Sequence, residues 1–102
     1  MELITAEEVK ARLDAGEELN LIDVREPLEH AEFNIGGILL PLGKIRNMSI
    51  DEIEALREKE VICYCRSGNR SGQACQILDT LGFIKTKNLS GGMLNWQGKY
   101  IN

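Results

Sequence analysis

The sequence has no long apolar run, few cysteines and a single histidine. Among its 102 residues, no apolar stretch approaches the roughly 18 residues of a membrane-spanning helix, so we expect no membrane association. Three cysteines are too few, and odd in number, for a disulfide framework, which a chain of this length does not need. The chain also has no repeat, low-complexity tract or linker. We therefore predict one domain over residues 1–102.

The same scarcity argues against a metal site and against export. A zinc site would need Cys63, Cys65, Cys75 and His30 to converge, and their spacing matches no C-x-x-C pattern. We expect neither a metal nor another cofactor. The first residues, MELITAEEVKARLD, mix charged with single apolar residues and lack the apolar segment of a signal peptide. Free thiols without an export signal predict a cytoplasmic protein.

Charge of both signs is present, but it is unevenly distributed. Twelve basic and sixteen acidic side chains give a net charge of -4, which disfavours a nucleic-acid partner. Residues 1–60 hold fifteen acidic and seven basic side chains, whereas residues 61–102 hold one acidic and five basic. The basic excess of the second segment can mark a face for an anionic ligand, although a solvated acidic surface also explains the asymmetry.

Short apolar runs alternate with helical patterns along the chain. Strands are predicted over residues 19–24, 38–40, 61–64 and 86–89. Two helical segments are predicted in the first part of the chain, from the capping box of Thr5 and Glu8 to Gly16 and from Pro27 to about Phe33. A third follows a second capping box, formed by Ser49 and Glu52, and a fourth lies between Arg70 and Gly82. A final helical turn is predicted around Met93, Leu94 and Trp96. The alternation predicts an α/β fold with a central, mostly parallel sheet and helices on both faces.

One loop combines a cysteine, a glycine and two arginines between a predicted strand and a predicted helix. Its sequence is Cys65-Arg66-Ser67-Gly68-Asn69-Arg70, at the carboxyl end of the strand, where ligands bind in such folds. Gly68 permits a positive φ, and the first N–H groups of a helix have no internal partners, so several amides can point at the Cys65 sulfur. These amides, the helix dipole and the arginine charges would lower the pKa of the Cys65 thiol and make it nucleophilic.

The alternative is that Cys65 only ends a strand before an ordinary turn. The glycine, asparagine, serine and arginines that follow it favour the functional interpretation. Cys63 lies within the predicted strand and Cys75 on the following helix. Both are therefore expected to be small buried side chains.

Four segments resemble the rhodanese family of sulfurtransferases, in the family's order and over nearly the whole chain. They are Asp23-Val24-Arg25-Glu26, Asn34-Ile35-Gly36-Gly37-Ile38 with Pro41-Leu42, the active-site loop Tyr64-Cys65-Arg66-Ser67-Gly68-Asn69-Arg70-Ser71, and Asn88-Leu89-Ser90-Gly91-Gly92 with Trp96. The resemblance implies a rhodanese-like fold. Two positions depart from the family pattern: Asn34 stands where His is frequent, and Ser67 stands where some thiosulfate-using members have Lys.

The resemblance implies sulfur transfer with Cys65 as the catalytic residue. Cys65 would take sulfane sulfur as a persulfide from a small anionic donor such as thiosulfate and pass it to cyanide, a thiol or a protein sulfur acceptor. Arg25 either lines the site or forms a structural ion pair, and buried Asp23 is expected to accept backbone hydrogen bonds. The expected substrate-binding residues are Arg25, Arg66, Ser67, Gly68, Asn69 and Arg70.

Two other functions stay open at this point. Cysteine phosphatases and arsenate reductases resemble C-x5-R, but the sixth position after Cys65 is Ser71, and Arg70 is one residue short. That shorter loop suits a sulfur atom better than a phosphate. The second alternative is a non-catalytic or redox-regulatory binding module, because a fold does not by itself establish activity.

Overall fold

Five parallel strands form the central sheet of the protein, whose computed structural model describes residues 1–101. The strands are β1 (Glu2–Ile4), β2 (Leu21–Asp23), β3 (Ile38–Leu39), β4 (Glu60–Tyr64) and β5 (Lys85–Leu89). Their order across the sheet is β1-β5-β4-β2-β3, so β4 lies in the middle. Residues 61–64 of β4 are all buried, as expected for a strand covered on both faces.

Helices cover both faces of this sheet, which confirms the predicted architecture. They are α1 (Ala6–Asp14), α2 (Pro27–Glu32), α3 (Leu42–Arg46), α4 (Asn69–Thr80) and α5 (Gly92–Tyr100), with a 3-10 helix at Asp51–Leu56. One hydrophobic cluster joins the sheet to α3, the 3-10 helix and α4, and a second joins it to α1 and α5. Within residues 1–101, no helix has the length and apolar character needed to cross a bilayer.

Alternate residues of β4 belong to the two clusters. Cys63 faces α4, as does Cys65 just after the strand, whereas Ile62 and Tyr64 face α5. Cys63 and Cys75 are fully buried, as predicted. A hydrogen bond to Cys75 and complete burial raise the pKa of the Cys63 thiol, which therefore stays protonated at neutral pH.

Several predicted element boundaries are confirmed by their hydrogen bonds and dihedral angles. The capping box at the start of α1 is formed, with the Glu8 backbone N–H donating to Thr5 Oγ1 at 3.1 Å. Pro27 begins α2, where its missing N–H costs nothing. Gly82 follows α4 with a φ of +96°, the left-handed conformation that ends many helices.

The second predicted capping box is wrong. Among the residues that the structure describes, no side chain caps the 3-10 helix, which begins after Ile50. The Ser49 N–H donates instead to the Lys44 carbonyl at 2.9 Å. Ile50 and Ile53 are both buried, and a 3-10 helix places residues three apart on one face. Burial of this pair therefore determines the local conformation in place of a cap.

Three further elements differ from the prediction. The sequence pattern did not reveal β1 or α3, because three and five residues are too short to show a strand or helix period. Backbone pairing with β5 supports β1 despite its largely exposed side chains. The final turn extends to the nine-residue helix α5.

Gly37 should be far less tolerant of a side chain than its neighbour Gly36. Both residues have a positive φ, +89° and +99° respectively. A Cβ atom at Gly37 would overlap the Leu21 carbonyl and lie 2.6 Å from its Cβ, whereas one at Gly36 would meet nothing within 4 Å. Gly37→Ala should lower the free energy of unfolding by about 3 kcal/mol and the matched Gly36→Ala by about 1 kcal/mol. Urea denaturation measures both, and equal effects would contradict the close packing of Gly37 on β2.

Candidate active site

Cys65 lies directly after β4, at the carboxyl end of the sheet, and only 1% of its surface is exposed. The Cys65 loop (residues 65–70) turns the chain from β4 into α4. Gly68 makes that turn with a φ of +104°, a conformation that side-chain-bearing residues rarely adopt. The start of α4 is thereby directed at the cysteine.

Three donors from this turn and the first turn of α4 lie within 3.4 Å of the Cys65 sulfur. The backbone N–H of Gly68 lies 3.1 Å from Sγ, and the backbone N–H of Ser71 lies 3.4 Å from it. The Ser71 hydroxyl is 3.3 Å from the same atom. The expected convergence of loop amides thus includes Gly68, but it also extends one residue beyond the loop to Ser71.

These contacts alter the acidity of the thiol. Burial is the largest single influence and by itself raises the pKa of Cys65. The hydrogen bonds from Ser71, Gly68 and Ser67 together outweigh burial and lower that pKa below its ordinary value. The thiolate is therefore more populated near neutral pH than that of a free cysteine.

The outward-facing carbonyls of the Cys65 loop are bound by α5. The Met93 N–H donates to the Cys65 carbonyl and the Leu94 N–H to the Arg66 carbonyl, both at 2.9 Å. Gly92 allows this approach: a Cβ there would overlap the Cys65 carbonyl and lie 2.6 Å from the Arg66 oxygen. The second glycine of the Asn88–Gly92 motif is thus a packing requirement of the site.

Asn88, at the end of β5, binds the loop through both halves of its amide. Its Nδ2 donates to the Gly68 carbonyl at 3.0 Å, and its Oδ1 accepts from the Ser71 hydroxyl at 2.5 Å. Neither Asn88 nor Ser71 was among the predicted site residues. The available signals were a polar residue at the buried end of a strand and a serine directly after the loop.

Arg25 fulfils both roles that the sequence left open. Its Nε and Nη2 bind the two carboxylate oxygens of Asp23 at 2.9 and 2.8 Å, and Nη2 also donates to the Phe33 carbonyl at 2.6 Å. Asp23 accepts the Arg25 backbone N–H as well, as predicted, and contacts His30 Nδ1 at 2.8 Å. The same Arg25 lines the pocket described below.

The two loop arginines differ in their surroundings. Arg70 forms a bidentate ion pair with Glu29 of α2, at 2.8 and 2.9 Å, and this contact lowers the pKa of Glu29 to about 2. Arg66 is exposed and forms no ion pair with any other residue in the 1–101 range. Of the two arginine charges that the sequence places in the loop, that of Arg70 is therefore compensated, whereas that of Arg66 is not paired within residues 1–101.

The remaining predicted loop residues and the two departures from the family pattern lie at the surface. Ser67 and Asn69 are exposed, and Asn69 Oδ1 accepts a weak 3.5 Å contact from Gln73. Asn34 closes a turn, since its Oδ1 accepts the Gly36 N–H and its Nδ2 donates to the His30 carbonyl, both at 2.9 Å. Asn34 therefore has a local structural role.

A pocket of about 320 Å³ opens beside the Cys65 loop. It is lined by Arg25, Glu29, Glu32, Phe33, Arg66, Met93 and Gln97. Met93 is only 2% exposed, so it belongs to the core as well as to the pocket wall. In the part of the chain that the structure describes, no three His, Cys, Asp or Glu side chains are grouped to hold a metal ion.

Comparisons with known proteins agree on one family. The Rhodanese-like domain family model matches residues 5–99. The Bacillus subtilis protein YtwF, whose name places it provisionally among the sulfurtransferases, is 44% identical over 98 residues, covering 94% of this chain and 90% of YtwF. A protein of Allochromatium vinosum named sulfurtransferase is 38% identical over 94 residues, covering 91% of this chain and 85% of its own.

The fold has close counterparts among solved structures. A rhodanese-like domain protein from Staphylococcus aureus superimposes with a TM-score of 0.81 at 27% identity, covering 94% of this chain and 91% of that one. A rhodanese-related protein from Thermoplasma volcanium gives a TM-score of 0.78 at 26% identity and covers 100% and 96% of the two chains. Because the family model spans nearly the whole sequence and the fold matches, the chain belongs to the rhodanese-like domain family.

Proposed function

We propose that the protein is a sulfurtransferase that carries sulfane sulfur on Cys65. The observation that carries this proposal is the convergence of the Gly68 and Ser71 donors on the sulfur of one buried cysteine. Donors directed at one point stabilise a thiolate, and amides of the same loop are suited to the negative outer sulfur of a persulfide. Family membership and the sulfurtransferase names of relatives support the same class of reaction.

Two displacements at sulfur account for the transfer. The Cys65 thiolate attacks the outer sulfur of thiosulfate, a new S–S bond forms, and the bond to the sulfonate sulfur breaks. Sulfite departs with that electron pair and Cys65 carries the persulfide anion. A nucleophilic acceptor, such as cyanide or a thiolate, then takes the outer sulfur, and the electron pair of the broken S–S bond returns to Cys65 as the thiolate.

The charges beside the loop support a small anionic donor. Arg66 lines the pocket without an ion-pair partner in the described part of the chain, so its charge is available for a sulfonate. The charge of Arg25 is offset by Asp23, and that of Arg70 by Glu29. Ser67 adds no positive charge to the loop, so Arg66 is left as a single uncompensated arginine. One such side chain favours a donor that needs one strong contact.

The same contacts disfavour phosphate chemistry. The sixth position after Cys65 is Ser71, whose hydroxyl lies between Sγ and Asn88. The Arg70 guanidinium makes two hydrogen bonds to Glu29. Neither residue supplies the uncompensated guanidinium that the C-x5-R pattern directs at a tetrahedral phosphoryl group. The lowered pKa of Cys65 also argues for a reactive thiol rather than an idle binding module.

Incubation with thiosulfate or another sulfane donor should add the mass of one sulfur atom to the protein, and cyanide should remove it. Intact-mass spectrometry measures both steps. Cys65→Ser should not load, whereas Cys75→Ser, a matched change at a buried cysteine outside the site, should load normally. Unchanged mass with several donors, or equal loading of the Cys65→Ser protein, would refute the proposal.

Glu29→Gln should make the site more reactive towards anions. The substitution removes the carboxylate that compensates Arg70, so the ratio of Cys65 alkylation rates with iodoacetate and neutral iodoacetamide should rise about fivefold. Glu54→Gln is the matched control, because Glu54 pairs with Arg57 on the 3-10 helix, outside the Cys65 loop and its pocket. A ratio that is the same in Glu29→Gln and Glu54→Gln would show that Arg70 does not influence the approach of anions.

A further inference from the structure

The Ser71 hydroxyl has one proton and two possible acceptors. It lies 2.5 Å from Asn88 Oδ1 and 3.3 Å from Cys65 Sγ. Ser71 is fully buried and Asn88 is 6% exposed, so water does not compete freely for either contact. The charge on Cys65 therefore decides whether this proton points to Sγ or stays on the carbonyl oxygen of Asn88.

The second half of the Asn88 amide fixes the direction of its oxygen. Asn88 Nδ2 donates to the Gly68 carbonyl, and a reversed amide would place two acceptors against each other there. Oδ1 must then face Ser71, and having no proton it can only accept. With the Ser71 proton on Oδ1, the hydroxyl lone pairs face Sγ, where they can accept from a neutral thiol but repel a thiolate.

We propose that Ser71 is a further catalytic residue of sulfur transfer and that Asn88 is its positioning residue. The Ser71 O–H bond rotates from Asn88 Oδ1 to Cys65 Sγ when negative charge collects on that sulfur, and it rotates back when the charge leaves. No covalent bond changes in this step. The inference rests on the proposed persulfide reaction, in which Sγ alternates between a charged and a neutral state.

The hydrogen bond from the Ser71 hydroxyl to Sγ lowers the barrier most in the step in which the acceptor removes the outer sulfur. In the persulfide, Sγ is bonded to carbon and sulfur and carries little charge, so the hydroxyl stays on Asn88. As the S–S bond breaks, Sγ becomes the leaving thiolate and the hydroxyl can donate to it. A hydrogen bond that forms only as the charge develops lowers the barrier without stabilising the persulfide.

Asn88 limits how strongly the free thiolate is stabilised. Rotation of the hydroxyl towards Sγ leaves the buried Oδ1 without its donor, which offsets part of the gain. This offset has a chemical use, because the nucleophilicity of a thiolate falls as its pKa falls. Asn88 thus keeps Cys65 reactive enough for the first displacement.

Ser71→Ala, Asn88→Ala and the double variant test the proposal. Persulfide is loaded from thiosulfate, its discharge by cyanide is followed by intact mass across pH, and the Cys65 pKa is obtained from alkylation rates. Ser71→Ala should slow discharge about tenfold and raise the Cys65 pKa. Asn88→Ala also removes the donor to the Gly68 carbonyl, and it does so equally with and without Ser71. With Ser71 present, Asn88→Ala should therefore leave the Cys65 pKa lower than its shift in the Ser71→Ala background predicts, because the released hydroxyl is left with Sγ alone.

Thr80→Ala is the matched control. It removes a hydroxyl from the same helix, where Thr80 Oγ1 donates to the Ile77 carbonyl, away from Cys65, and it should change neither the discharge rate nor the Cys65 pKa. A Ser71→Ala protein that discharges at the wild-type rate with an unchanged Cys65 pKa would overturn the inference while leaving the sulfurtransferase proposal intact. If Asn88→Ala shifted the Cys65 pKa by the same amount with and without the Ser71 hydroxyl, the proposed role of Asn88 would be overturned. Failure of the wild-type protein to load sulfur would instead refute the proposed function.

Discussion

The Cys65 loop, whose amides reach the Cys65 sulfur, is held from the outside by hydrogen bonds to its carbonyls. In the Arg66–Ser67 peptide unit the N–H is directed at Sγ and the C=O turns away, and a buried carbonyl without a donor would be costly. The first N–H groups of α5 bind the Cys65 and Arg66 carbonyls, and the Asn88 side chain binds that of Gly68. The central strand, the C-terminal helix and the end of β5 therefore hold one loop in a conformation that it would not keep alone.

That constraint explains why the last quarter of the chain matters to a cysteine near its middle. Gly92 is required because any side chain there would enter the space of the loop carbonyls. Asn88 also contacts the start of α4, because its Oδ1 accepts a hydrogen bond from the Ser71 hydroxyl. The site is thus built from residues far apart in sequence, which parallel strand order brings together at one edge of the sheet.

Electrostatics at the site are more balanced than the uneven charge of the sequence indicates. The basic second part of the chain contributes Arg66 and Arg70, but the acidic first part contributes Glu29, which pairs with Arg70. Arg25 is similarly compensated by Asp23 within β2 and its following turn. The hydrogen bonds of the loop, rather than a large excess of positive charge, outweigh burial and lower the pKa of Cys65.

Local patterns predicted the fold class, most elements and the position of the Cys65 loop. Apolar runs and the Thr5 capping box were sufficient because strand burial and N-capping depend on near neighbours in the chain. A helical segment was predicted after Ser49, but its 3-10 type and its lack of a cap were not, because Ile50 and Ile53 are selected by tertiary burial. The roles of Ser71, Asn88 and Glu29 were missed because each depends on a partner at least six residues away. Ion pairing between α2 and α4 has no signature in either segment by itself.

The proposed transfer requires that the amides of the Cys65 loop hold the outer sulfur of a Cys65 persulfide. A crystal structure of the protein after treatment with thiosulfate, with sulfur located by its anomalous scattering, tests this directly. We expect one additional sulfur atom bonded to Cys65 Sγ and within hydrogen-bonding distance of N–H groups of the Cys65 loop. An additional sulfur on Cys63 or Cys75, or one on Cys65 that points away from these amides, would contradict it.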